Sequence, residues 1–172
     1  MSNTPILDLP VAPSLDGSEW SPLVQGGTTK RATTQQIGLA GLASVLPGSI
    51  EFLIDGGGGV ITQQTWGYMT VPFNAALTSA SMLADTSGSI IVNVWKCQYG
   101  QFDAGVTHPV AADSITSSTP PTITTATKYS DALLSNWITT LTQGDVLAFN
   151  VPIHATNITR VTLSLNLTRV LS

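Results

Sequence analysis

His108, His154, Cys97 and ten carboxylates are the groups of this chain that could do acid–base, nucleophilic or metal chemistry. A relay of His154, a serine and Asp145 can be drawn, but the chain has no Gly-x-Ser-x-Gly elbow to expose a nucleophile. Asp103 and Asp113 could be a glycosidase pair, yet nothing in their surroundings selects them. Most carboxylates instead adjoin Gly, Ser or Thr, as in Asp16-Gly17, Asp55-Gly56 and Gly144-Asp145. That setting suits turns, where a short acceptor bonds nearby backbone N–H groups. The run Gly56–Gly59 lacks the Lys-Ser or Lys-Thr of a phosphate loop and is followed by Val60-Ile61-Thr62, so it reads as a hairpin or a close backbone approach. Cys97 is the only cysteine; it can form neither an intrachain disulfide nor a cysteine-rich zinc site, and its strand-like flanks predict an inert buried thiol. Asn157-Ile158-Thr159 and Asn166-Leu167-Thr168 match the glycosylation pattern but sit in a Thr-rich strand region with no secretion signal seen. Trp66, Tyr68, Trp95, Tyr129 and Trp137 could line a sugar platform, although aromatics in a β domain more often fill its core. The expectation is a chain that is not an enzyme and holds no cofactor or metal.

The elements that carry these residues fall into an arm and a body. Residues 1–48 read as an extended attachment arm, with prolines at 5, 10, 13 and 22 and the Gly26-Gly27 pair favouring extended chain and turns over regular helix or sheet. Its one helical candidate is Thr33 to Ser44, with a Thr cap and two glutamines, weakened by Gly38 and Gly41. Leu9, Trp20, Leu23, Val24 and Ile37 need a surface to cover them, either the rest of the chain or a neighbouring chain. Residues 49–172 read as strands: Ile50–Ile54, Tyr68–Phe73, Leu77–Ala84, Ser89–Lys96, Val146–Val151 and the strictly alternating Ile158–Leu171. Asp85–Gly88 reads as a turn, 98–122 as a long loop, and 131–142 carries helical spacing at Leu133, Leu134, Trp137, Ile138 and Leu141. Seven or eight strands predict an all-β fold, an antiparallel β-sandwich or jelly roll behind an extended N-terminal arm with at most one short helix.

Only 9% of the residues are charged, against about 25% in ordinary globular proteins. So sparse a charge makes surface cheap to desolvate, as suits a protein packed in assemblies. The net charge is −4, and Lys30-Arg31 is the one adjacent cationic pair, so a phosphate-backbone partner is not expected. No apolar run approaches the ~20 residues that span a bilayer, and no signal peptide opens the chain. The expectation is a protein made in a cytoplasm and soluble there, without a membrane partner.

The arm, through Leu9-Pro10-Val11-Ala12, Leu15 to Trp20, Pro22 to Thr33 and Gln36-Ile37, resembles the start of small structural proteins of tailed bacteriophages. Ile50 to Gly57, Ser89 to Lys96 and Gly144 to Val151 look like the β domain found behind that arm. The resemblance implies a virion component that is a homo-oligomer, often a trimer. A single β domain behind one arm suits a capsid decoration (cement) protein or short head fibre on the capsid surface, with the major capsid protein as partner. On that reading the arm residues Leu9, Trp20, Leu23, Val24, Lys30, Arg31 and Ile37 form the partner interface, with Lys30 and Arg31 either paired to acidic shell residues or solvated. The alternative is a tail fibre or tail adaptor, held by tail proteins, whose exposed aromatics or 98–122 loop touch host glycans.

Overall fold

In a computed structural model, the structure describes residues 16–42, 46–104 and 106–170. The chain divides into two units between Val45 and Leu46.

In the first unit, β1 (Trp20–Gln25) and β2 (Thr28–Thr33) pair antiparallel, with Gln25 opposite Thr28 across the two-residue turn Gly26-Gly27. Both glycines have positive φ, 61° and 73°, as a hairpin turn of matching twist requires. Part of the stretch expected to be irregular is therefore a two-stranded sheet. Pro22 does not prevent this, because in a ribbon of two strands each is an edge, where a missing N–H donor is tolerated. α1 (Thr34–Leu42) follows directly. Its start is a reciprocal cap: Gln36 N–H donates to Thr33 Oγ1 at 3.1 Å, and Thr33 N–H donates to Gln36 Oε1 at 2.9 Å.

The second unit contains β3 (Pro47–Asp55), β4 (Gln64–Thr70), β5 (Ala75–Ile91), β6 (Asn93–Gln98), β7 (Thr122–Asp131), β8 (Thr140–Leu141), β9 (Asp145–Val151) and β10 (Arg160–Arg169). One sheet runs β3-β10-β5-β7, with β8 also on β5, and the other runs β4-β9-β6. The chain passes from sheet to sheet at β3–β4, β4–β5, β5–β6, β6–β7, β8–β9 and β9–β10, which is the winding of a jelly roll. Pro47-Gly48, expected to end the arm, instead opens β3 opposite Leu167 and Thr168.

The core lies between the inner faces. Val161, Leu163, Leu165 and Leu167 on β10 are all but inaccessible; each such side chain contributes about 1.5–3 kcal/mol when fully buried. Phe149 of β9 stacks on Phe52 of β3, with ring centroids 4.0 Å apart. Outward-facing Thr162, Ser164 and Asn166 alternate with the buried set, and the Asn166 carboxamide donates to Ser79 Oγ at 2.9 Å.

Three local expectations are corrected. Asp85–Gly88 is not a turn: β5 continues through it for 17 residues, with its register to β7 shifting on both sides of Gly88. Asp85 there accepts hydrogen bonds from the Thr159 backbone N–H and hydroxyl, so its turn-like chemistry serves an irregular strand. Residues 131–142 form no helix. Leu134 and Asn136 take positive φ, 49° and 68°, and the Asp131 carboxylate accepts from the Leu133 and Leu134 N–H groups. The helical spacing came from Leu134 and Trp137, which an irregular loop delivers to the core, and from Leu141, which β8 delivers, while Leu133 and Ile138 face out. The run Ser89–Lys96 is likewise cut at Val92, where the chain changes sheets.

Candidate partner interface

The hairpin sorts the expected interface residues onto two faces. Trp20, Pro22 and Val24 alternate with Ser21, Leu23 and Gln25 along β1, and side chains alternate across a sheet. Arg31 lies opposite Pro22, and its guanidinium carbon sits 4.4 Å from the Trp20 ring centroid, a cation–π contact. Trp20, Val24 and Arg31 thus form one patch. On the other face Lys30 lies opposite Leu23. Leu23, Lys30, Gln36 and Ile37 help line a concavity of about 460 Å³. Lys30 Nζ reaches Gln25 Oε1 at 3.4 Å. Leu9 falls outside the described residues.

Among residues 16–38, none is buried. Trp20 is 58% exposed and Val24 73%. Among the described residues, a set of polar bonds orders the start of this unit. The Glu19 carboxylate accepts from the Asp16 N–H at 2.9 Å, the Gly17 N–H at 3.0 Å and the Thr34 hydroxyl at 2.8 Å. Thr34 N–H also donates to Glu19 O at 2.8 Å, which ties 16–19 to the start of α1. These bonds, led by that of Asp16, hold the Glu19 carboxyl below its ordinary range.

Most of the residues singled out for chemistry are engaged elsewhere. Asp145 is buried and accepts from Lys96 Nζ at 3.0 Å and Thr142 N–H at 2.8 Å, so the His154–Asp145 relay is not assembled. His154 is exposed between β9 and β10. The Cys97 thiol is buried, and burial raises its pKa, as expected of an inert thiol. Gly56 makes the expected close approach: its N–H donates to Thr159 O at 2.7 Å, and a Cβ there would meet Gly59 O at 2.2 Å. Trp137 is buried, with Nε1 donating to Thr119 O at 3.0 Å, and Trp66 and Tyr129 pack partly buried on the core. No cluster of three or more His, Cys, Asp or Glu suited to a metal occurs among the described residues. No described helix is long and apolar enough to cross a membrane.

Asp103 and Asp113 organise the loop after β6. Asp103 accepts from Thr107 N–H with both oxygens at 2.7 Å and from His108 N–H at 2.9 Å. The Thr107 side chain first, then the His108 and Thr107 backbone bonds, hold its carboxyl down at about 2. Burial pushes the Asp113 carboxyl up, but bonds from His108 Nδ1 at 2.9 Å and Val110 N–H at 2.8 Å outweigh it and leave the carboxyl low. A general acid needs the opposite shift. Because the folded Asp103 value lies below the unfolded one, its contribution to loop order is full above the unfolded value of about 3.9 and is lost as pH falls from there through about 2. Amide exchange should therefore show constant protection of the Thr107 and His108 N–H groups from about pH 7 to 5, falling between about pH 4 and 2. Protection that stays flat down to that limit would refute the assignment.

Sequence reasoning missed the exposed pair Tyr99 and Phe102, absorbed into the 98–122 loop. The available signal was two aromatics in the short glutamine-bearing run Gln98-Tyr99-Gly100-Gln101-Phe102.

No protein-family model matches the chain, and no curated protein matches it. Among solved structures, it is similar to a chain of the cyanophage Pam1 capsid asymmetric unit, with a TM-score of 0.29 and 17% identity over 99% of this chain and 100% of that one.

Proposed function

We infer that this protein is a non-enzymatic structural component of a bacteriophage virion. In this reading it is a capsid decoration or head-fibre protein that attaches by its N-terminal unit and presents the jelly roll outward. The observation that carries the reading is that 16–38 holds Trp20, Leu23, Val24 and Ile37 without burying any of them. A two-stranded ribbon is marginal alone in water, so such a unit gains stability by lying against another molecule. The charge-poor composition and the resemblance of the arm to phage structural proteins support the same reading. A protein that binds an assembled shell but not its free subunits stabilises the shell by mass action.

The Trp20–Arg31 patch is the anchor in this reading. Trp20→Ala removes an exposed aromatic and leaves the body's core untouched, while a buried interface tryptophan is worth about 2–4 kcal/mol. Binding to shells stripped of the protein should weaken by about 30-fold or more, with unchanged unfolding of the body; unchanged occupancy in the variant would remove Trp20 from the interface. Counting copies per particle separates this from the tail-fibre reading, since hundreds indicate the shell and a few dozen at most indicate the tail.

A further inference from the structure

We propose that the outer end of the β4-β9-β6 sheet is a binding site for neutral hexopyranose sugars. Two open concavities, of about 410 and 230 Å³, adjoin there and share Tyr99 as a wall. The larger falls within the ~300–1,000 Å³ of small-ligand sites. Tyr99 is 71% exposed, and Tyr68 of β4 meets Phe102 edge-on with centroids 4.9 Å apart. The exposed Tyr99 ring is thus the one offered to the C–H face of a sugar, with the Tyr68–Phe102 pair beside it. Gln98, Gln101 and Gln143 line the larger concavity. Their carboxamides carry the donors and acceptors that vicinal hydroxyls require, with Gln101 Oε1 already accepting one bond from Gln98 N–H and its NH2 group left to donate.

The floor is fixed and electrically neutral. Lys96 Nζ donates to Asp145 Oδ2 at 3.0 Å and to Thr140 O at 3.1 Å, so the cation is paired within the fold. Asp145 N–H donates to Thr142 O, and Gly144 N–H to Val71 O, which holds Gln143 at the tip of a pinned turn. The other wall is held by Gln98 N–H donating to Gln101 Oε1 at 3.1 Å. A neutral lining gives phosphates and acidic peptides no unpaired cation, and single-stranded nucleic acid needs basic groups beside its stacking rings. Aromatic faces combined with amides and no net charge select an uncharged polyhydroxylated ring.

The test is nuclear magnetic resonance of the full chain titrated into the millimolar range with maltotriose, cellotriose, the β1→4-linked N-acetylglucosamine trimer and a proline-rich decapeptide. The expected result is that at least one trisaccharide shifts the rings of Tyr68, Tyr99 and Phe102 and the side-chain amides of Gln98, Gln101 and Gln143. Tyr99→Ala should then weaken binding about tenfold, with a smaller loss in Gln143→Ala and an unchanged melting temperature in both. No response to any sugar, undiminished binding in Tyr99→Ala, or saturation of the same resonances by the decapeptide at lower concentration would overturn the proposal. The titration involves no shell, so its failure leaves the attachment role of the hairpin untouched.

Discussion

Gly88→Ala is expected to remove about 3–5 kcal/mol from the stability of the jelly roll. The added Cβ would lie 1.9 Å from Thr156 O and 2.8 Å from Ile158 Cγ1. The first contact is with backbone, so no side-chain rotation relieves it. The chain must move apart where Ser89 and Thr156 exchange hydrogen bonds of 3.1 and 2.8 Å. Two bonds at about 1 kcal/mol each, together with about 1–3 kcal/mol of overpacking strain, give that magnitude. Urea unfolding should show a lower midpoint with an unchanged slope. Gly100→Ala is the control: nothing lies within 4 Å of its added Cβ, and the expected change is within about 0.5 kcal/mol. Equal stabilities for the two variants would mean that β5 does not approach Thr156 as described.

Lys96→Met should cost about 3 kcal/mol by a different route. The ammonium lies 3.0 Å from a carboxylate whose side chain is 7% exposed. Removing it leaves the buried Asp145 charge with the Thr142 N–H as its remaining partner among the described bonds. Breaking one half of a buried pair typically costs about 3–5 kcal/mol; the Lys96 side chain is 22% exposed, which favours the low end. A domain of this size should then melt about 10 °C lower. The double variant Lys96→Met/Asp145→Asn should recover at least about 1 kcal/mol of the loss, because the orphaned charge is gone while an oxygen acceptor for Thr142 remains. Losses that simply add would show that the two groups do not act as a pair.

The sequence was most legible where one period ran without interruption. β10 shows this: each alternate apolar residue from Val161 to Leu167 is buried because the strand has a sheet neighbour on both sides and one face against the core. The Thr33 cap was readable for a similar reason, since a cap needs only its own side chain and the next turn. Tertiary contacts decided what local chemistry could not. Asp85–Gly88 has turn residues, yet β10 pairs with β5 up to Ala84, Thr159 bonds to Asp85, and β7 takes the strand up again at Gly88. Leu134 and Trp137 have helical spacing, but Asp131 and Thr119 supply hydrogen bonds that fix an irregular path. In the arm, prolines suggested chain without partners, whereas the Gly26-Gly27 turn lets β1 and β2 pair with each other. That pairing also divides the interface candidates: Trp20, Val24 and Arg31 go to one face and Leu23 and Lys30 to the other, a separation visible only once register is known. Tyr99 and Phe102 belong to no periodic pattern, and their meeting with Tyr68 depends on how the loop folds back.

The tetraglycine between β3 and β4 makes the body open to grafting. Gly56 is pinned by its bond to Thr159 O, and Ile61 N–H by its bond to Ile158 O at 3.0 Å, whereas a Cβ on Gly57 or Gly58 would touch nothing within 4 Å. A foreign peptide spliced between those two residues would leave on a stalk clamped at both feet, without passing through any layer of the fold. Exposed tips of this kind are where chains accept insertions, and an epitope placed there would be displayed by the jelly roll at a vertex of its own making.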